Sequence, residues 1–526
     1  MGTPQISSPS VWTSISDPWS SQQAYGNDNP SPYSSPFLGL SDFDNMSDHA
    51  SSTSSSTHVT RVAIIGARLG SACLLRGLLR YPHIAADLYD ARPQLRDEGL
   101  ALDLSEAHQE VLRALDPALD ACLDRAGAVY SSVALCVGTA TTAHRGIDVS
   151  GLPIPGRRTV GRQALMDEIL ADVPPYLLHT NTHIASISGT SETDGGGGAA
   201  FLEFVDGTRR RYDVVIGADG THSLARSFVV SGQGSGQTST ETGEEDPAHK
   251  PVSAGSWTLP LQVPLARAQQ AMGPGYLDPQ RPCRAGWIGD GIFMQHDFLN
   301  HGRDIQIYLS AVLPPPSVDS RDGPAAAGPA WAKLFTPEEF EATFAQNRTP
   351  ACQGMVKLVQ SVYTIQIAGI VQMQHVPTQS YAWRRVCLLG SAAHAASPYH
   401  GASASLSLEQ AMVLSTLLGH SASSGVGIRG FTKSGHDVEA SLPYYALQAY
   451  DAVCRPRADQ VVEATSDVMN TLLGRGSGGQ SRDLDPVRIA ERLRQRWPAV
   501  HNLHVVGLQN AAVDTMEQFI AEDSKW

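Results

Sequence analysis

From Arg61 onward, short unbroken apolar runs alternate with stretches of helical period. RVAIIG reads as a strand buried on both faces. SACLLRGLLRY follows, with Leu74, Leu75, Leu78 and Leu79 on one side, which predicts a helix. ADLYDARP predicts a second strand ending at Asp90. Further on, SEAHQEVLRALDPALDACL is helical by period with Ser105 as its N-cap, and RQALMDEILADV predicts another helix. The stretch AAFLEFVDGTRRRYDVVIGADG reads as a hairpin with an Asp-Gly turn, running into the buried strand VVIG. Residues 256 to about 312 are strand-rich and aromatic and predict a second, mostly antiparallel sheet; PEEFEATFAQ then predicts a helix. The chain returns to a buried strand at RRVCLLG, followed by a loop and a long helix within SAAHAASPYHGASASLSLEQAMVLSTLLGH. ALQAYDAVCRPRADQVVEATSDVMNTLL is strongly helical, and the linker GRGSGGQSRD leads to terminal helices.

This alternation predicts an α/β chain, with a Rossmann-like domain interrupted by an antiparallel substrate domain. The expected divisions are a Ser/Pro-rich disordered leader at 1–58, the first part of the nucleotide domain at 59–255, the substrate domain at 256–380, the second part of the nucleotide domain at 381–475, and a linker with C-terminal helices at 476–526. The leader composition buries too little apolar surface to offset ordering entropy. SGQGSGQTSTETGEEDPAHKP reads as a flexible surface insertion.

Composition narrows the partners. The chain has 526 residues, 42% hydrophobic and 17% charged, with a formal net charge of −14. No basic block offsets that charge, which argues against nucleic acid or an anionic membrane surface. No apolar run is long enough to span a bilayer. Seven scattered Cys without a C-x-x-C pair read as reduced thiols in a cytoplasmic setting. Nothing in the pattern sets the oligomeric state.

Three separated segments could converge on one ligand. The first is GARLGSAC, with Gly66, Arg68 and Gly70 at a strand-to-helix turn and Asp90 about twenty residues further on. A helix N-terminus there would present N–H groups and partial positive charge to a pyrophosphate. In the G-x-G-x-x-G fingerprint, Arg68 holds the second Gly position and Ser71 the third. The second segment is DVVIGADGTHSLAR, with Asp219 and Gly220 at the turn. The third is VCLLGSAAHAASPYHGASASLSLEQA, with Gly390, Ser391, Gly401, Ser403 and Ala404.

Together and in this order, from about Arg61 to about Leu473, these segments resemble the single-component FAD-dependent aromatic (group A) monooxygenases, particularly the fungal salicylate-hydroxylase-like branch. The resemblance implies that the first unit binds the ADP half of FAD, that Asp90 meets the ribose, that GADGTHSLAR lies near the pyrophosphate, that Arg162 contacts the cofactor, and that Ala101 of RDEGLALDLS lies near the flavin. It also implies a flavoprotein using NAD(P)H to hydroxylate a small aromatic or polyketide-like molecule in secondary metabolism. The cofactor would carry the chemistry while the protein orients the substrate and excludes water, so no catalytic side chain is named.

Three positions that the resemblance places against FAD depart from the family pattern. Arg68 replaces a Gly whose missing side chain lets the backbone approach the pyrophosphate, although an Arg could also clasp a diphosphate. Ser391 stands where the motif G-D-A-A-H has Asp, and Ser403 where P-x-x-G-x-G-A has its second Gly. Gln410 follows Glu409 where an Asp is usual, and His394 reads as a helix-packing residue. All three departures weaken the same ligand, so a flavin-free descendant is the competing expectation. It would perform an isomerisation or cyclisation with polar groups such as His296, Asp297, Tyr399 and His400. A non-catalytic scaffold is the third.

Overall fold

A computed structural model describes residues 59–97, 99–139, 142–147, 157–189, 198–232, 249–313, 331–423, 431–432, 438–476, 478–479 and 481–525. The expected leader, most of the 231–251 insertion and residues 314–330 lie outside these residues.

In chain order, the elements that position the site begin with strand β1 (Thr60–Ile65), helix α1 (Leu69–Leu78) and strand β2 (Ile84–Tyr89). Then come β3 (Ser132–Thr139), α2 (Arg162–Leu170), β4 (Val214–Gly217) and α3 (Leu224–Gly232). The middle of the chain supplies β5 (Val252–Pro264), β6 (Cys283–Ile288), β7 (Ile292–Leu299), β8 (Asp304–Val312) and β9 (Ile367–Gln374). The last third holds β10 (Val386–Leu388), α4 (Ser391–His394), α5 (Ala402–Ser423), α6 (Val438–Leu472), α7 (Pro486–Arg496) and α8 (Val505–Asp523).

The first sheet has β10, β4, β1 and β2 side by side and parallel, with short strands at both edges. Val62, Ala63 and Ile64 have no exposed surface. That explains an apolar run without alternation: helices cover both faces of a parallel sheet. The second sheet has eight strands and contains β9, β5, β8, β7, β6 and β3 in that order. Its pairings are antiparallel except for β6 with β3, which run parallel. β3 comes from the 59–255 stretch, so the second sheet draws strands from outside 256–380.

The terminal helices are part of the main core. Val505, Ala512, Met516 and Ile520 of α8 are buried with α5 and α6. Helix α7 closes a separate apolar cluster with the end of α6, through Ile489 and Leu493 against Val468 and Leu472. No helix among the described residues is long and apolar enough to cross a membrane.

Candidate functional site

Three strand–turn–helix units meet beyond the C-terminal ends of the adjacent strands β1, β4 and β10, and small residues hold them together. Gly66 sits at φ +95°, where a Cβ would lie 2.4 Å from the Ala218 carbonyl oxygen of the second unit. Only glycine fits that approach at that angle. A Cβ on Gly70 would lie 2.8 Å from Ser407 Cβ, and one on Gly390 (φ +63°) would lie 2.8 Å from Ser407 Oγ. Ser407 on α5 therefore touches both the first and the third unit. The predicted cofactor residue Gly70 is placed as a helix-packing position.

At the first turn the backbone donors are already satisfied. Ala67 N–H donates to Asp90 Oδ2 (2.7 Å), Arg68 N–H to Ser71 Oγ (2.8 Å) and Leu69 N–H to Asp97 Oδ2 (2.9 Å). Ser71 also donates to the Gly66 carbonyl (2.6 Å), so it ties the turn from within. The Asp97 side chain is only 3% exposed. Arg162 Nη2 donates to it at 3.1 Å, and Arg68 Nη1 lies 3.7 Å away. Burial opposes ionisation of Asp97, but Arg162, Arg68 and the Leu69 amide outweigh it and hold its carboxyl below the usual range. A carboxylate thus occupies the positive end of α1.

Asp90 is held in a similar way. Arg92 Nε and Nη2 donate to its two oxygens (2.9 and 2.8 Å), and Arg92 Nη2 also reaches the Ala67 carbonyl (2.8 Å). Burial again opposes ionisation, and Arg92 with the Ala67 amide keeps the carboxyl depressed. The guanidinium of Arg68 is half-exposed at the mouth of this cluster. Burial and the neighbouring Arg92 lower its pKa.

The second and third turns owe much of their motif to architecture. Asp219 caps α3, accepting from Leu224 N–H (2.7 Å) and Ala225 N–H (3.2 Å). Gly220, at φ +85°, has open space where a side chain would project. Arg226, fully buried, donates to the carbonyls of Ala392, Ala393 and Val376 and so fastens the second unit to the third. Burial pushes its pKa down to about 10. Gln410 Oε1 accepts from Gly390 N–H (2.9 Å) and faces His394 Nε2 at 3.0 Å. The predicted packing role of His394 agrees with this contact. Ser391 Oγ and Ser403 Oγ lie 3.5 Å apart, and Ala404 is buried beside them on α5.

Beyond the third turn, a cavity of about 60 Å³ opens towards the second sheet. Its wall includes Ala101, Gly401 and Tyr399 from the nucleotide-type half, and Arg284, Asp297, Gln306 and Tyr308 from the sheet. Gln306 fixes the wall: its Oε1 accepts from Ala101 N–H (2.6 Å) and its Nε2 donates to the Gly99 carbonyl (3.2 Å). Gly401, at φ +77°, lies against the Asp103 carbonyl.

Of the polar candidates, Asp297 and Tyr399 line this cavity. His296 does not, because successive strand residues point to opposite faces. It is buried between Trp287 and Phe298, neither ring nitrogen has a partner, and burial pushes its pKa down to about 3. The His400 side chain lies outside the described residues. Sequence reading missed Arg92, Asp97, Asp103, Arg157, Arg284 and Gln306. The available signal was a charged residue inside an apolar strand, such as Arg284 in CRAGWI.

Comparison with known proteins places this arrangement. No family model matches the chain. A 6-methylsalicylate 1-monooxygenase of Aspergillus terreus is 26% identical over 421 residues, covering 78% of this chain and 82% of the relative. An FAD-dependent monooxygenase of a Phoma species is 25% identical and covers 87% of this chain and 97% of the relative. A salicylate hydroxylase of Pseudomonas putida is 24% identical, covering 77% and 84%. Among solved structures, a salicylate hydroxylase in a substrate complex superposes with a TM-score of 0.65 at 20% identity, covering 87% of this chain and 98% of that one. CtdE, solved with FAD and a substrate, also gives 0.65, at 14% identity over 88% of this chain and all of the other. The relatives, matched over most of their length, are FAD-dependent monooxygenases and salicylate hydroxylases, and the solved structures share this fold.

Proposed function

We propose that this chain is an FAD-dependent monooxygenase that hydroxylates a small aromatic molecule with NAD(P)H as electron donor. The observation that carries the reading is the convergence of three strand–turn–helix units beside a cavity walled by Ala101 and Gly401. The donor set suits a dinucleotide: Arg68, Arg92 and Arg162 gather at a helix N-terminus, and the Asp97 carboxylate bound there is a stand-in anion.

In this reading Arg68, Arg162 and the Gly66–Gly70 turn face the diphosphate, with Asp97 giving way. Asp90 takes the adenosine ribose once Arg92 releases it. Asp219 and Gly220 shape the second turn. Gly390, Ser391, Ser403 and Ala404 line the ribityl end, and Ala101 and Gly401 line the flavin end. When bound, the flavin supplies the redox chemistry, taking electrons from NAD(P)H and activating dioxygen. The chain's own residues bind, orient and exclude water. Gln306 holds the Ala101 segment in place, and the Phe293 and Leu135 side chains give the cavity its apolar wall. A role in secondary metabolism fits the fungal relatives, and seven free thiols favour a reducing, cytoplasmic setting.

The test is the visible spectrum of the purified protein, followed by titration with FAD and an NADPH-oxidation assay. A yellow, stoichiometric complex that oxidises NADPH supports the reading. A colourless protein that takes up no FAD overturns it and leaves the flavin-free alternative.

A further inference from the structure

The cavity wall is charged, and only with a second arginine behind it do the charges of the cluster cancel. Arg284 is the one cation among the described lining residues, and its guanidinium is already divided between two carboxylates. Nε donates to Asp297 Oδ1 and Nη1 to Asp103 Oδ2, while Nη2 reaches Thr159 Oγ1 (3.5 Å). Arg157, behind Asp103 and not part of the wall, donates to the same Asp103 oxygen. Two carboxylates therefore face two guanidiniums, all of them buried. The second oxygen of Asp297 accepts from Gln295 Nε2 (2.7 Å). Gln306 is spent on Gly99 and Ala101, and the Tyr399 hydroxyl is bonded to Ser310.

A substrate carboxylate entering this cavity would meet no uncompensated cation. Burying an anion without a partner is costly, because water is lost and nothing replaces it. A neutral ring bearing hydroxyl or amide groups carries no such penalty, and it can donate to the carboxylate and amide oxygens of the wall. We infer that this site selects neutral phenolic substrates and rejects aromatic carboxylates of the salicylate type. This inference rests on the cavity being the substrate site of the proposed monooxygenase. It sets the chain apart from the relatives whose names specify salicylates.

The test compares two probes of nearly equal size, salicylate and salicylamide, by calorimetry on the protein supplied with FAD near neutral pH. Salicylamide is expected to bind at least about tenfold tighter. Asp297→Asn removes one negative charge with little change of shape, leaves the cluster net positive, and should shift the preference about tenfold towards salicylate. Equal or tighter binding of salicylate by the wild type overturns the inference, as does binding of neither probe. The wild-type comparison decides the matter even if the variant does not fold. FAD uptake recorded on the same preparation separates the two claims. Uptake with salicylate preferred overturns the charge rule alone. No uptake with salicylamide preferred overturns the cofactor reading alone.

Discussion

Asp97→Asn should weaken the protein without cofactor and tighten its grip on FAD. The side chain is 3% exposed, accepts the Leu69 N–H at 2.9 Å and faces Arg162 at 3.1 Å. A hydrogen bond to a charged group is worth about 1.5–3 kcal/mol and a neutral one about 1 kcal/mol, so the amide retains part of the Leu69 contact and loses about 1 kcal/mol. The pairings with Arg162, partly exposed, and with Arg68, half-exposed, together add about 1 kcal/mol. The sum, roughly 2 kcal/mol, is stability that the apo protein gives up. It is also interaction that a diphosphate no longer has to displace, which corresponds to about 30-fold tighter binding. Urea denaturation without flavin reads the first effect, and quenching of flavin fluorescence during titration reads the second. ADP should show the same gain as FAD, and riboflavin, which lacks the diphosphate, should show none. If the variant is less stable yet binds FAD no better, or worse, then Asp97 positions Arg162 for the cofactor and the stand-in argument fails.

Three other outcomes are expected. His296 and His375 are held neutral by burial, with pKa values pushed down to about 3 and about 4. The unfolded chain binds protons at these positions first, so stability should fall as pH drops below about 6.5, by roughly 1.4 kcal/mol per unit per histidine, and level off as each one protonates in place. His296→Phe should lessen that slope in urea midpoints measured against pH; an unchanged slope would show that His296 is not buried neutral. Gly66→Ala should cost about 3 kcal/mol or more, because φ +95° is strained for Ala and its Cβ meets the Ala218 carbonyl; a normal melting temperature would refute the close approach. Ser391→Asp replaces a neutral hydrogen bond with a charge-assisted one and should tighten FAD about tenfold in the same titration; no change would remove Ser391 from the cofactor set.

The turns were legible because each is a short apolar run ended by glycine, and that signal is local. The helix-capping role of Asp219 was also within reach, since DGTHS is a helix-start pattern, but the motif drew attention to a ligand instead. Asp97 and Arg92 were missed for a different reason. They lie in a segment without periodicity, and nothing in its spelling shows that it folds back over α1 and Asp90. Strand β3 was placed outside the second sheet because its parallel partner β6 lies far along the chain, and periodicity carries no information about pairing. Arg284 was missed although it is a charge within an apolar strand, and only the folded sheet shows that it joins Asp297 to Asp103 from the other half.

Ser407 touches the glycines of two separate turns, so one small side chain sets the spacing between the two ends of the ligand-binding region. Helix α5 serves there as a gauge, and its setting is stiff because helix geometry rather than a loop fixes it. Enlarging residue 407 would part the first turn and the third together. Engineering of this region must therefore treat positions 70, 390 and 407 as a single variable, and a change tolerated at one of them has to be matched at the other two.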